Sequence, residues 1–447
     1  MNERLFCAEE VGEPPAQDRA KAAPRMQSPN RSQVEFRAVD LESLIAPDHR
    51  VRVVWEFVEG LDLRALYGQI KAVEGHVGRS PIDPAILMGL WLYATLDGVG
   101  SARELARLCE AEDAYRWLCG GVSVNHHSLS DFRVEKGEFL DRQLTQSVAA
   151  LLAAGAVTMN RVAQDGMRVR ASAGASSLRR KERLEGLVHQ AEVQVQALKQ
   201  ELKGTPSASR DRQQAARERA VKDRHERVKR ALEQLPEVEA KKKAADKNKA
   251  RVSTTDAEAR VMKMGDGGFR PAYNAQFCTD TETQVIVGLD ISNEGSDKGQ
   301  MAPMIDQIEQ RYEQRPEEIL VDGGFVTLED IEKVSTGQTP STVYAPVQVP
   351  KDQTRDPHQP LEGDSHIVAA WRGRMGTEEA KAIYKQRAAT AECVNAQARN
   401  RGLQQFRVRG LAKVKAVLLW YALAHNLMRR VALGLSNVIR INRAQPA

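Results

Sequence analysis

From residue 49 to residue 155 the apolar positions recur at steps of three and four, the spacing of helices with one buried face. Asp83-Pro84 supplies an N-cap and a first helical residue, and Ile86, Leu87, Leu90, Trp91 and Ala94 follow on one side. Gly98 and Gly100 end that helix, Ser101 to Glu104 starts the next through Leu105 and Leu108, and Gly120-Gly121 ends it in turn. A third helix is predicted from near Ser128, carrying Phe132, Phe139, Leu140 and Leu144 toward Leu151-Leu152. Short amphipathic helices with tight turns make a compact bundle, compatible with a helix-turn-helix DNA reader and equally with a packing domain that touches no base.

After Gly155 the pattern changes. A strand-like run spans Val157 to Val169, and the next strand candidates come only at Tyr273 to Cys278 and Gln284 to Ile291. Between them Leu184, Leu187, Ala191, Val195 and Leu198 recur at helical spacing, Gly204-Thr205-Pro206-Ser207 breaks the pattern, and a second helical run reaches Leu235. This predicts a helical hairpin or coiled-coil arm inserted over residues 174–252. Beyond it come a helix (Gln300 to Gln314), a strand (Ile319 to Asp322), a helix (Leu328 to Val334), a strand (Thr342 to Pro346) and two long helices, Glu378 to Asn400 and Leu411 to Arg430. The fold class is α/β, a mixed sheet covered by helices whose β-β-β-α-β order resembles the ribonuclease H-like layout. The predicted organisation is a flexible segment over 1–47, a helical domain over 48–156, a sheet domain over 157–435 interrupted by the arm, and a tail over 436–447.

A hydrophobic fraction of 42% in 447 residues is enough for a sizeable core in two or three domains. The net charge of +5 is unevenly spread: residues 171–250 hold 20 Lys and Arg against 12 Asp and Glu, an excess of +8 that leaves the rest at −3. Cys7, Cys109, Cys119, Cys278 and Cys393 are widely spaced with no C-x-x-C pair, which points to reduced thiols and away from a zinc site. The adjacent His126 and His127 lack a neighbouring acid or Cys to complete a ligand set. The first thirty residues lack the apolar stretch of a signal peptide, and the apolar run Ala416 to Ala424 is too short to span a bilayer, so a cytoplasmic, nucleoid-associated location is expected.

Three acids carry the candidate chemistry: Asp165 in the first strand run, Asp322 after Ile319-Leu320-Val321, and Glu392 in the helix that Thr377 caps. Two carboxylates at strand ends and one on a helix can clasp divalent ions, which makes phosphodiester chemistry the leading reading. Both aspartates precede glycine, and a turn-forming Asp-Gly is the plain alternative for each. On the helix, Arg399 follows Glu392 by seven residues, two turns along nearly the same face, with Tyr384 flanking it. Arg387 falls on another side of an ideal helix and needs a bend or its own reach. A solvated charged face is the competing reading, because Lys381, Lys385, Arg401 and Arg407 populate the same stretch.

Asp165, Asp322, and Tyr384-x-x-Arg387 followed by Glu392 and Arg399 together resemble the DDE transposases of bacterial insertion sequences, in the branch with a Tyr-Arg-Glu-Lys signature. Further matching text is Arg270 to Gln276, Gly295-Ser296-Asp297 and Ala424-His425-Asn426-Leu427, and the resemblance covers about residues 45 to 430. Two departures stand out. The signature usually has three residues between Arg and Glu, whereas Ala388 to Ala391 make four, and Arg399 stands where Lys is usual. The family often places its insertion before the glutamate helix, whereas here it follows the first strand. The resemblance implies metal-dependent cleavage and strand transfer at the ends of an element. Asp165, Asp322 and Glu392 would hold two Mg²⁺ ions, with Mn²⁺ as a possible substitute. It further implies double-stranded DNA as partner, both terminal inverted repeats and target, and a homodimer or larger assembly on DNA. Tyr384, Arg387 and Arg399, with Lys413 and Lys415, would serve as DNA contacts. Two other readings of the same residues are a transposase-derived DNA-binding protein without catalysis and a host nuclease on the same fold.

Overall fold

The computed structural model describes residues 41–72, 80–203, 212–349 and 355–435, with Ser32, Val34, Ala38 and Asp40 ahead of them. The Gly204 to Ser207 break, the tail over 436–447 and nearly all of the segment before residue 41 lie outside the described residues. Of the lead-in assigned to 1–47, a short turn at Glu42–Leu44 packs down: Ile45 is buried, and Glu42 accepts from Trp117 at 2.9 Å.

Seven helices come first: α1 (Arg50–Glu59), α2 (Arg64–Tyr67), α3 (Pro84–Leu96), α4 (Ala102–Ala111), α5 (Asp113–Cys119), α6 (His126–Glu135) and α7 (Gly137–Ala153). Their starts follow the expected chemistry, with Asp83 accepting from the Ala85 amide and Ser101 from the Glu104 amide. The run predicted to start near Ser128 is two helices, capped at Asn125 and parted at Lys136-Gly137. Helix α3 is buried almost all round, including Met88, Leu92 and Tyr93 off its predicted face. It is the axis of this layer, touched by α1, α5, α6 and the last helix of the chain, and has no free face for a DNA groove.

The main sheet has the order β4-β5-β1-β7-β8, with β6 also paired to β5: β1 (Arg161–Arg170), β4 (Arg260–Lys263), β5 (Phe269–Asp280), β6 (Ile286–Ser292), β7 (Glu318–Leu320) and β8 (Thr342–Tyr344). Strand β5 runs antiparallel to both β1 and β6, whereas β7 and β8 run parallel to β1. Helices α10 (Met301–Tyr312), α11 (Leu328–Val334) and α12 (His366–Met375) cover it, and α10 and α11 supply the crossovers that parallel neighbours need. The insertion leaves and returns through a two-residue ladder, β2 (Leu178–Arg179) against β3 (Val252–Ser253). Between them α8 (Lys181–Lys203) and α9 (Arg212–Ala240) pack antiparallel, Leu184 meeting Ala231 and Leu235 in a small core of their own.

The chain closes with α13 (Glu378–Arg387), α14 (Cys393–Asn400) and α15 (Leu411–Ala432). Helix α15 is buried on most sides and packs at once on α3, α6 and α7 and on β6, so one core runs through the helical layer and the sheet. Trp420 shows how: its ring is buried and its indole N–H donates to the Arg133 carbonyl at 3.0 Å. Burying a ring of that size removes on the order of 200 Å² from water, worth about 5 kcal/mol before side-chain entropy is subtracted. Asn426 meets β6 as a strand would, accepting from the Ile286 amide at 2.8 Å and donating to its carbonyl at 2.9 Å. His425 and Arg429 bond the Gln284 and Thr283 carbonyls beside it. This gives the Ala424-His425-Asn426-Leu427 text a structural role in holding the β5–β6 turn.

Candidate active site

Asp165 lies in the middle of β1, not at a strand end, and the Asp165-Gly166 pair is no turn. The reason is on the next strand and behind it. Strand β5 pairs with β1 all the way to Arg170, and a Cβ on Gly166 would sit 2.1 Å from Asp297 Oδ1 and 2.5 Å from Gln276 Nε2. Glycine is required there so that a buried carboxylate can lie against the sheet. Asp297 is held by Asn274 and Gln276, each donating at 2.6 Å, and by Arg168 at 3.4 Å. Because side chains alternate along a strand, this polar layer occupies the opposite face from Asp165.

Asp322 arrives from the other neighbour. The parallel register sets Arg161 opposite Glu318, Val162 opposite Ile319 and Ala163 opposite Leu320. Carried two residues further, it brings Asp165 level with Asp322. Asp322 does form a turn as well, its Oδ1 accepting from the Gly324 amide at 2.7 Å, and around Gly323 a Cβ would meet no other atom within 4 Å.

The third acid depends on a change of helix type. In an ideal α-helix, positions five apart point about 140° away from each other, which would separate Arg387 from Glu392. Residues Ala388–Glu392 instead form one π-helical turn between α13 and α14. Its wider hydrogen-bonded ring absorbs one extra residue, and the two side chains meet: Arg387 donates to Glu392 at 2.5 Å. The same guanidinium stands 3.7 Å from Asp165 and 5.8 Å above the Tyr384 ring. Asn395, three residues past Glu392, donates to Asp165 Oδ2 at 2.9 Å. Its side-chain oxygen is buried without a hydrogen-bond partner among the described residues.

Burial is the largest influence on Asp165. It raises the carboxyl pKa, Arg387 pulls it back, Asp322 pushes it up again, and the bonds from Asn395 and Gly166 lower it, leaving it near about 6. Arg387 is itself disfavoured by burial, yet Tyr384, Asp165 and Glu392 together hold its pKa above the ordinary arginine value. A carboxyl raised from 3.8 to about 6 binds more protons folded than unfolded, so its ionisation costs stability as pH climbs through that interval. Asp165→Asn is therefore expected to stabilise the fold at pH 7.5 by about 2–3 kcal/mol, with the gain shrinking toward zero at pH 4. Thermal melts of both proteins across that range check this. An Asn variant with the same advantage at pH 4 as at pH 7.5 would mean that Asp165 ionises without penalty.

Two family models match the chain. One is described as a transposase domain (DUF772) and covers residues 39–135; the other, a transposase DDE domain, covers residues 358–431. Together the two matches support a DDE transposase of insertion-sequence type. Neither the curated proteins nor the solved structures gave a match. The first match takes in the layer built on α3, and the second runs from just before α12 nearly to the end of α15 and so contains Tyr384, Arg387 and Glu392. Asp165 and Asp322 lie outside both matched stretches.

Among the described residues no three His, Cys, Asp or Glu side chains are arranged to hold a metal ion. The donor chemistry nonetheless fits one. Asp165 and Asp322 repel each other in a desolvated place, which is the condition a divalent ion relieves, and the Asn395 oxygen beside them has no bond to lose. What stands off is Glu392, half-exposed and drawn onto Arg387. The remaining predicted contacts are dispersed. Arg399 and Lys413 are exposed and no bond joins either side chain to the acids among the described residues, while Lys415 pairs with Asp290 at 3.0 Å. Asn395 was not foreseen; its spacing from Glu392 carries meaning only once the π turn has fixed which way the helix faces.

Proposed function

We propose that this transposase cleaves phosphodiester bonds at the ends of an insertion sequence and joins the freed ends to target DNA, using Asp165, Asp322 and Glu392 as its acidic set. The observation that supports this reading is the β1–β7 register, which carried two residues past its last pair would bring Asp165 level with Asp322, together with the Arg387 contacts to Asp165 and Glu392 across the π turn. The antiparallel β1, β5 and β6 with parallel β7 and β8 support a ribonuclease H-like sheet, in which that pair of positions faces the nucleic acid. The Tyr384, Arg387 and Glu392 grouping supports the Tyr-Arg-Glu-Lys branch, with Arg399 keeping the charge of the usual Lys.

The three acids would hold Mg²⁺, or Mn²⁺ in its place, and two such ions would activate the attacking oxygen and stabilise the leaving one. The chain's own residues do the rest. Asn395 holds Asp165 Oδ2 while Oδ1 accepts from the Gly166 amide and faces Arg387, and burial keeps that carboxylate poorly hydrated and ready to take a cation. Arg387 balances the acids while no cation is there, and on its release from Glu392 it faces the strand as a phosphate contact over the Tyr384 ring. The direct test incubates purified protein with a labelled duplex carrying an element end. Strand cleavage that requires Mg²⁺ or Mn²⁺ and stops with chelator is expected, and DNA that is bound but never cut in either metal rejects the catalytic reading.

A further inference from the structure

Away from the acids, a cavity of about 200 Å³ opens between the α3–α4 turn, α6, and the segment that joins α14 to α15. Three arginines line it, from parts of the chain up to 274 residues apart: Arg133, Arg401 and Arg407. Their charges are unusually bare. Arg133 is only 7% exposed, donates to the Gly100 carbonyl at 2.5 Å and lies 4.8 Å over the Trp91 ring. Arg401 has a buried Nη1 with no acceptor among the described residues. Glu104 is the single acid in the lining, and among the described residues no ion pair joins it to any of the three.

The cost of this arrangement is visible in its neighbours. Burial and the nearby Arg407 bring the Arg133 pKa down to about 10, and His425, held near about 4 chiefly by burial, is pushed lower by Arg401 and Arg429. Unpaired buried cations are expensive, and a protein keeps them where an anion completes them. The backbone is drawn tight to make the cavity. Gly98 and Gly402 both have positive φ, and a Cβ on Gly402 would lie 2.9 Å from the Gly98 carbonyl oxygen, so neither position tolerates a side chain. The rim, with Gly402, Glu104 and Arg407, is exposed. A cavity of about 150 Å³ is enough for a benzene-sized guest, so this one has room for a single phosphate group and not for a duplex.

We propose that this cavity is a phosphate-binding site for the DNA strand that the transposase cuts, an assignment that rests on the function proposed above. Helix α14 connects the two places. It carries Asn395, bonded to Asp165, and six residues later its C-cap is Arg401, about 9 Å along the axis and about 120° round it from Asn395. A phosphate seated between Arg401 and Arg407 fixes the strand relative to Asp165 through one rigid helix, supplying position and not chemistry.

The test uses the full chain and its Arg407→Gln and Arg401→Gln variants; Arg407 is exposed, so its replacement leaves the fold intact. Calorimetric titration with inorganic phosphate at constant ionic strength is expected to show saturable binding by the wild type and at least tenfold weaker binding by each variant. In parallel, the slope of log affinity against log salt for a DNA duplex is expected to fall by about 1 in each variant. Phosphate binding with an unchanged DNA slope would assign the cavity to free phosphate and overturn the proposal, as would absence of both effects. Asp165→Asn serves as the separating control: it should keep the wild-type slope. A protein that shows the slope changes but never cuts DNA upholds the cavity while rejecting the catalytic reading.

Discussion

Asp165→Asn, Asp322→Asn and Glu392→Gln are each expected to lower the rate of strand cleavage at an element end by about a thousandfold, roughly 4 kcal/mol of transition-state stabilisation. Each substitution keeps the shape and one oxygen of the side chain while removing the charge that a divalent ion needs. The effect should therefore fall on the cleavage step. DNA affinity should hold or rise slightly, since a negative charge near the phosphates is gone. Single-turnover cleavage in saturating Mg²⁺, with affinity measured separately in chelator, distinguishes the two steps. A variant that cuts within threefold of the wild type takes its residue out of the acidic set.

The π turn makes a second, asymmetric expectation. Inserting one alanine between Ala388 and Ala391 turns everything before it by about 100° relative to Glu392, separating Arg387 and Tyr384 from the acids. Cleavage should drop by about a hundredfold or more, the loss that misplacing a catalytic group by an ångström can bring. Deleting Ala388 works the other way. It leaves three residues between Arg387 and Glu392, the spacing of two groups on one face of a regular α-helix, and activity should stay within about tenfold of the wild type. Cleavage assays and helix content by circular dichroism decide it. If insertion and deletion are equally harmful, the register of this turn is not what aligns the pair.

Asp322 could be found from sequence because Ile319, Leu320 and Val321 form a fully apolar run before it, the mark of a strand buried on both faces. Asp165 was identifiable as a residue but not in its setting. Gln164, Asn274 and Gln276 are buried, and together with Asp297 they give the sheet a polar layer that defeats any count of apolar alternation. The Asp-Gly pair then resembles a turn, when the glycine is in fact making room for Asp297. Helix α3 was mistaken for an amphipathic helix because part of its covering comes from α15, more than 300 residues later. The extra residue between Arg387 and Glu392 was plain in the spacing, yet only coordinates show that the backbone widens by one turn to take it up. The three arginines of the cavity left no local trace at all. Arg133 reads as one polar position of α6, and Arg401 and Arg407 as two more charges in a basic stretch.

The β2–β3 ladder has a consequence for how this protein tolerates change. Leu178 faces Ser253 and Arg179 faces Val252, and the two hydroxyls of Ser177 and Ser253 meet at 2.7 Å, so the chain exits and re-enters at one clasp. The base of the arm is tied further by Arg260 to Gln234 and Glu237 and by Lys241 to Glu294, so it is the far end of the hairpin that can lengthen or shorten, at about 0.6 kcal/mol of loop-closure entropy per doubling. The distal part of the basic arm is thus where changes of length cost least, close in sequence to the strand that bears Asp165.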